Sequence, residues 1–342
     1  MPVVHVVVPD GFDDPGRPSG GNVYDRQVIA GLAAAGWDVR THPVPGAWPS
    51  PSTGAQAPVQ AELDALAPGS VVIIDGLIAS GVPRVLVRAA GRLALVVLMH
   101  MPVADEAERA AVTAARAVIT TSEWTRDRIL DLYGLPRATV HVAEPGVAPA
   151  DLAPGTAHGG RLLCVAAVTP QKGHDVLFRA LARLRSPDWT CRCVGPLDRA
   201  EPFVARLRRQ VEVDGIADRV TLVGALGDTD TAAAYQRADV LVLPSRGETY
   251  GMVVTEALAR GLPVIATEVG GVPESLGTAP SGRPGLLVPP EDDAALAGAL
   301  QAWLTDPALR GRLRRSARER RHGLPDWSGT IERIARVLRM YS

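Results

Sequence analysis

Lysine and asparagine are almost missing from this sequence of 342 residues: Lys172 is the single lysine and Asn22 the single asparagine. Aromatic residues make up 4% of the chain, so its cores must be built from aliphatic side chains. Three cysteines, Cys164, Cys191 and Cys193, are too few for a disulfide framework. Two of them form a Cys-x-Cys pair inside an expected strand, where alternation points both sulfurs to one face. No second ligand pair accompanies them, so no metal site is expected, and buried free thiols suit a reducing compartment. No apolar run reaches the roughly 20 residues of a membrane span. The opening MPVVHVVVPDG has neither a basic start nor a long apolar core, and is not read as a signal peptide. A cytoplasmic protein is the expectation. The formal net charge of -1 leaves no global field to recruit nucleic acid or an anionic membrane. Neither partner is expected; oligomeric state is open.

What is present fits two globular α/β domains. Hydrophobic residues are 46% and charged residues 21% of the chain, and the length suits two domains rather than one. Residues 1–155 carry 11 Lys/Arg against 16 Asp/Glu, and residues 156–342 carry 25 against 21. The second half therefore leans towards anionic ligands. Buried strands are expected at 3–8, 38–42, 71–74, 94–98, 117–120 and 140–142, with helices between them. A glycine-rich loop spans 11–21 and a helix 23–35 follows it. Residues 43–58, rich in Pro, Gly and Ser, predict a loop. Residues 148–160 (APADLAPGTAHGG) predict a linker. The alternation then restarts, with strands at 161–165, 190–194, 220–222, 240–243, 263–266 and 285–288. Helices are expected near 175–184, 201–214, 229–238, 251–260 and 294–305, and a last one at 330–340. This alternation predicts two doubly wound sheets with ligands at the C-terminal strand ends.

The densest chemistry lies in SRGETYGMVVTEALARGLPVIAT (245–267). A strand–glycine loop–helix unit aims backbone amides and a positive helix terminus at one point, a natural diphosphate site. Glu248 stands just outside that terminus and Glu256 further down the helix. Carboxylates accept hydrogen bonds strongly and suit sugar and ribose hydroxyls.

These residues resemble the signature of family 4 retaining glycosyltransferases of the GT-B fold, whose two glutamates are separated by seven intervening residues, as Glu248 and Glu256 are. VGGVPES (269–275), GLLVPPED (285–292) and VTPQKGHDVLFRALA (168–182) resemble that family too. The resemblance covers about 160–305 and thins before it. It implies two Rossmann-like domains facing across a cleft: an acceptor domain over 1–155, a donor domain over 156–325, and a C-terminal helix over 326–342 packing back towards the first.

It also implies roles. Glu248 would contact the donor sugar and Glu256 the ribose. Thr249, Tyr250 and Gly251 would present amides to sugar and diphosphate. Lys172 would bind phosphate as a compact point charge. The family's arginine five residues before that lysine is replaced here by Ala167, and Arg246 and Arg26 are candidates for its place. In the first half, Gly20 and Gly21 resemble the family's glycine loop near the donor, and His100 the histidine beside the reacting sugar. Asn22, Asp75 and Glu123 are acceptor candidates. The implied activity is retaining transfer from a UDP- or GDP-sugar to a soluble small molecule, without metal or other cofactor. A sugar-nucleotide epimerase of the same fold and a non-catalytic nucleotide-sugar binder are the alternatives.

Overall fold

A computed structural model of the chain describes residues 1–14, 19–186 and 188–342. The middle of the expected glycine-rich loop, residues 15–18, lies outside the described residues. The chain divides into two compact units: Met1–Gly146 with Pro325–Ser342, and Val147–Leu324.

The first unit holds strands β1 (Val3–Pro9), β2 (Asp38–Val44), β3 (Val71–Asp75), β4 (Ala94–Met99), β5 (Ala117–Thr120) and β6 (Val140–Val142). They form one parallel sheet in the order β2-β1-β3-β4-β5-β6. The second unit holds β7 (Arg161–Val165), β8 (Thr190–Val194), β9 (Val220–Gly224), β10 (Val240–Leu243), β11 (Val264–Thr267) and β12 (Gly285–Val288). Their order is β12-β11-β10-β7-β8-β9, again parallel throughout. Numbered within the unit and read from β9, this is 3-2-1-4-5-6, the doubly wound order. β3, β10 and β11 are buried along their whole length, as central strands covered on both faces must be. Each fully buried Val, Leu or Ile contributes about 1.5–3 kcal/mol by leaving water.

The order reverses between β1 and β3 in one sheet, and between β7 and β10 in the other. At such switch points neighbouring loops splay to opposite faces and leave a crevice beyond the strand ends. Every strand-end residue considered below follows one of these strands or an immediate neighbour.

Three segments differ from the expectations. Residues 43–58 are not all loop, because β2 runs to Val44 and a helix starts at Gln56. Residues 148–160 have no regular structure, yet they pack on the second unit. Ala153 N donates to Arg260 O (2.9 Å), Thr156 Oγ1 to Asp239 Oδ2 (2.7 Å), and Trp303 Nε1 to Gly159 O (2.8 Å). The unexpected helix Pro307–Arg320 is capped by Asp306 and buries a narrow apolar stripe, Leu309, Leu313 and Ala317, together with Arg310 and Ser316.

The helix Trp327–Arg339 belongs to the first unit, where it crosses the helix Gly20–Ala34. Thr330 Oγ1 donates to Glu144 O at 2.6 Å. A Cβ on Gly146 would lie 2.2 Å from Trp327 N, so only glycine lets the two backbones meet. Gly146→Ala is expected to lower unfolding stability by about 1–3 kcal/mol through forced displacement of backbone. Gly298→Ala, whose Cβ meets nothing on an exposed helix face, should raise it by about 0.5–1 kcal/mol. Denaturant melts of both variants check the contrast.

Candidate active site

In the second unit, three loops are knitted by close backbone contacts. A Cβ on Gly270, whose φ is +52°, would lie 1.7 Å from Glu248 O; one on Gly271 would lie 2.2 Å from Thr249 O. Gly271 N donates to Glu248 O at 3.0 Å. The glycine pair of VGGVPES thus grips the backbone that carries Glu248. On the other side Gly173, with φ +70°, presses against Pro244 O, 2.0 Å from where its Cβ would be. Arg246 N donates to Gln171 O (2.8 Å), which ties the loop after β7 to the loop after β10.

These contacts bring Lys172 and Glu248 together at the switch point. Lys172 Nζ lies 2.6 Å from Glu248 Oε1, and Ser245 Oγ donates to the same oxygen at 2.7 Å. The ammonium uses one of its three N–H donors there. Gly251, with φ +87°, precedes the helix Met252–Ala259 and supplies no side-chain cap. The first amides of that helix have no partner within it, and its positive end faces the loop of Glu248. Thr249 is half-buried and Tyr250 buried.

Glu256 sits one turn further along. Tyr235 Oη donates to its Oε2 at 2.8 Å, and the Arg260 guanidinium lies 4.7 Å from the Tyr235 ring centroid. Burial pushes the Glu256 carboxyl above its ordinary range, against the pull of Tyr235 and Arg260. Tyr235 is a site residue that sequence reasoning missed; its place before β10 held no motif that marked it.

Arg246, one candidate for the place of the absent arginine, is engaged by carboxylates. It is bound to Asp175 through both Nη atoms (3.0 and 2.9 Å), to Glu291 Oε1 (3.0 Å) and to Pro170 O. Burial opposes ionisation of Asp175, but the Arg246 hydrogen bonds outweigh it and hold this carboxyl below its ordinary value. Ala167 lies half-buried just after β7. Arg26, in the first unit, donates to Phe12 O at 2.9 Å.

In the first unit, the switch point gathers His100, Asp75 and Asp25. His100 follows β4, and its Nε2 donates to Asp25 Oδ1 at 2.8 Å. The same nitrogen lies 3.6 Å from Asp75 Oδ2. Asp75 ends β3, and its Oδ1 caps the next helix by accepting from Leu77 N (2.8 Å) and Ile78 N (3.2 Å). Both carboxylates are buried, at 2% and 4% exposure. Burial disfavours the imidazolium, yet Asp25 first and Asp75 second outweigh it, and the pKa of His100 rises to about 9. Burial, with Asp25 beside it, lifts Asp75 to about 6. At neutral pH this is a charged imidazole held by carboxylates. A Cβ on Gly21 would sit 3.5 Å from the His100 ring, and Tyr24 meets that ring edge-on at 5.3 Å.

Gly20, Gly21 and Asn22 form the first turn of the helix Gly20–Ala34 rather than a loop, with Ser19 as its cap: Ser19 Oγ accepts from Asn22 N at 3.0 Å. Glu123 opens the helix Glu123–Tyr133, is exposed, and pairs with Arg126 on its own helix. It takes no part in the His100 cluster. Asp25 was missed by sequence reasoning; a helix position one turn after Gly21 was the available signal.

The raised pKa of His100 has a definite sign. Its charge stabilises the unit fully below the ordinary 6.5, and that contribution fades as pH rises through about 9. Asp25→Asn should bring the His100 titration, followed by ring-proton NMR, down towards 6.5, and flatten the loss of stability between those pH values. An unmoved titration would contradict the arrangement.

Residues 159–320, nearly all of the second unit, match the family model described as glycosyl transferases group 1. The D-inositol 3-phosphate glycosyltransferase of Acidothermus cellulolyticus is 34% identical over 248 residues, which are 67% of this chain and 54% of that protein. The chain thus spans about half the length of this curated relative. Among solved structures, sucrose-phosphate synthase from Thermosynechococcus elongatus superimposes with a TM-score of 0.81 at 24% identity, over 99% of both chains. Anabaena HepE, solved with UDP and glucose, gives 0.77 at 19% identity, over 98% of this chain and 99% of that one. These likenesses show a shared fold. The two doubly wound units have the GT-B fold, and the group 1 glycosyl transferase match spans the Lys172, Glu248 and Glu256 loops of the second.

Proposed function

We propose that the protein transfers a sugar from a nucleoside-diphosphate sugar to a soluble small-molecule acceptor, with retention of anomeric configuration. The observation that carries this reading is the Lys172–Glu248 pair at the switch point between β7 and β10, beside a helix terminus and with Glu256 on the same helix. A diphosphate needs a cation and amide donors; a sugar and a ribose need fixed acceptors. Lys172 and the amides near Gly251 supply the first, Glu248 and Glu256 the second.

The reaction follows from those roles. The bond between the anomeric carbon and the diphosphate oxygen breaks, and the acceptor oxygen bonds that carbon on the same face. The acceptor proton passes to the departing diphosphate. No protein nucleophile and no metal is needed; catalysis rests on positioning and on stabilising charge on the leaving group. His100, as an imidazolium, would hydrogen-bond the reacting sugar or the diphosphate. Asp25 would keep it charged, and Gly20 and Gly21 would allow close backbone approach. Asp75, within this cluster, and Asn22, on the first turn of the helix Gly20–Ala34, would be acceptor contacts. The HepE structure with UDP and glucose supports a UDP-sugar among the donors to test, with GDP-sugars beside it. The relative named for inositol 3-phosphate makes polyhydroxylated acceptors the first panel.

Release of nucleoside diphosphate from UDP- and GDP-sugars with that panel, and the anomeric coupling in the product, test the reading. Lys172→Ala should lower kcat/KM by about 10²–10³-fold. Tyr235→Phe, which frees Glu256, should raise the Kd for the nucleoside diphosphate by about 3–10-fold. Activity should persist in EDTA. Donor binding with no turnover across the panel would favour a non-catalytic binder, and sugar interconversion without acceptor an epimerase.

A further inference from the structure

Beneath the Lys172 loop lies a second cluster that the proposed reaction does not use. Cys164 on β7 is paired directly with Cys193 on β8, so both side chains leave the sheet on one face. His174, the first residue of the helix His174–Ala182, descends on that face; its Nε2 lies 3.6 Å from Cys164 Sγ. The two sulfurs and Nε2 all lie within 4.8 Å of one another, and the three residues are 0% exposed. Cys191 is on the same face, its sulfur 3.9 Å from that of Cys193.

We propose that Cys164, Cys193 and His174 bind one thiophilic metal ion, zinc(II) or copper(I), within the core of the second unit. Two observations support this independently. The first is spacing. Metal–sulfur and metal–nitrogen bonds of about 2.3 and 2.0–2.1 Å set S···N edges of roughly 3.6–3.8 Å and S···S edges of roughly 3.8–4.0 Å. The Cys164–His174 separation of 3.6 Å is such an edge. The second is the imidazole itself. Among the described residues Nε2 faces only the soft sulfur of Cys164, a weak partner for a fully buried ring nitrogen, and coordination at Nε2 would give that atom a strong one. Thiolates and imidazole together select soft d10 ions over magnesium or calcium.

Binding is a ligand exchange with no change of oxidation state. The ion sheds water or a carrier thiol, the Cys164 and Cys193 thiol protons leave to solvent, and two metal–sulfur bonds and one metal–nitrogen bond form. Copper(I) is content with three ligands, and for zinc(II) a water or carrier thiol would keep the fourth position. Because His174 follows Lys172 by two residues, the ion would anchor the end of the phosphate loop to the sheet. The site is distinct from the donor loops and takes no part in the sugar transfer.

The test is metal content of the full chain. Protein is expressed with added zinc or added copper, washed with chelator under reducing conditions, and analysed for metal. About one ion per chain is expected in one arm, and it is retained in Cys191→Ser, whose sulfur is not one of the three ligands. Cys164→Ser with Cys193→Ser should hold less than about a tenth of that. Metal at full stoichiometry in the double variant, or none in the wild type in either arm, overturns the proposal. X-ray absorption of the metal-loaded wild type must show sulfur and nitrogen neighbours, even if the double variant fails to fold; an oxygen-only shell overturns it equally. Lys172→Ala leaves the ion in place whether or not the transferase reading stands, so the two ideas fail separately.

Discussion

The approach of glycine backbone to the carbonyls of residues 244–249 is the constraint on which the donor-side geometry depends. Glu248 and Lys172 are 76 positions apart and reach each other only because Gly173 fits against Pro244 O and the pair Gly270–Gly271 against Glu248 and Thr249. No side chain larger than hydrogen is compatible with those distances, and two of the three glycines also take a left-handed φ. The charged pair is therefore positioned by backbone packing, and the side chains inherit a place already set. This is a stiffer arrangement than a lysine and a glutamate meeting on a surface, where side-chain entropy erodes most of the gain.

The two units solve the same problem by different electrostatics. In the second, a half-exposed lysine meets one carboxylate and retains donors. In the first, a nearly buried imidazole meets two carboxylates and is driven to its charged form. Both arrangements sit at the strand ends where sheet order reverses. Sheet topology chooses the location, while local burial chooses which charges can live there.

Much of this was legible in the sequence. Runs such as VVIID and VLVL mark central strands because both their faces are apolar, and the 245–267 segment announces its loop and helix. The helix Pro307–Arg320 was illegible for a physical reason. Its arginines mask a stripe of three apolar residues, and one of them, Arg310, is itself buried, holding the carbonyls of Trp303 and Leu304. Residues 148–160 show the opposite error. Glycine, proline and alanine signal irregular backbone, which is what they form, but irregular backbone still packs. Asp25, Tyr235 and His174 were hidden because their partners are distant in sequence. No local pattern encodes a contact between positions 25 and 100, or 235 and 256. The sulfur pair of Cys191 and Cys193 followed from alternation alone, but its neighbours Cys164 and His174 needed the sheet.

The return of residues 325–342 to the first unit has a bearing on how the chain is made. Tyr24 and Trp327 stack edge-on, and Gly31 leaves room for Ile331, so the helix Gly20–Ala34 finds its full packing partner only after the whole of the second unit has followed it in sequence. On a ribosome the first unit starts to emerge before the second and is completed after it. The second unit has all of its strands available earlier and can close while the other still waits for its final helix. For that interval the half-finished sheet would carry an uncovered apolar flank, a substrate for holding chaperones and a hazard in crowded synthesis.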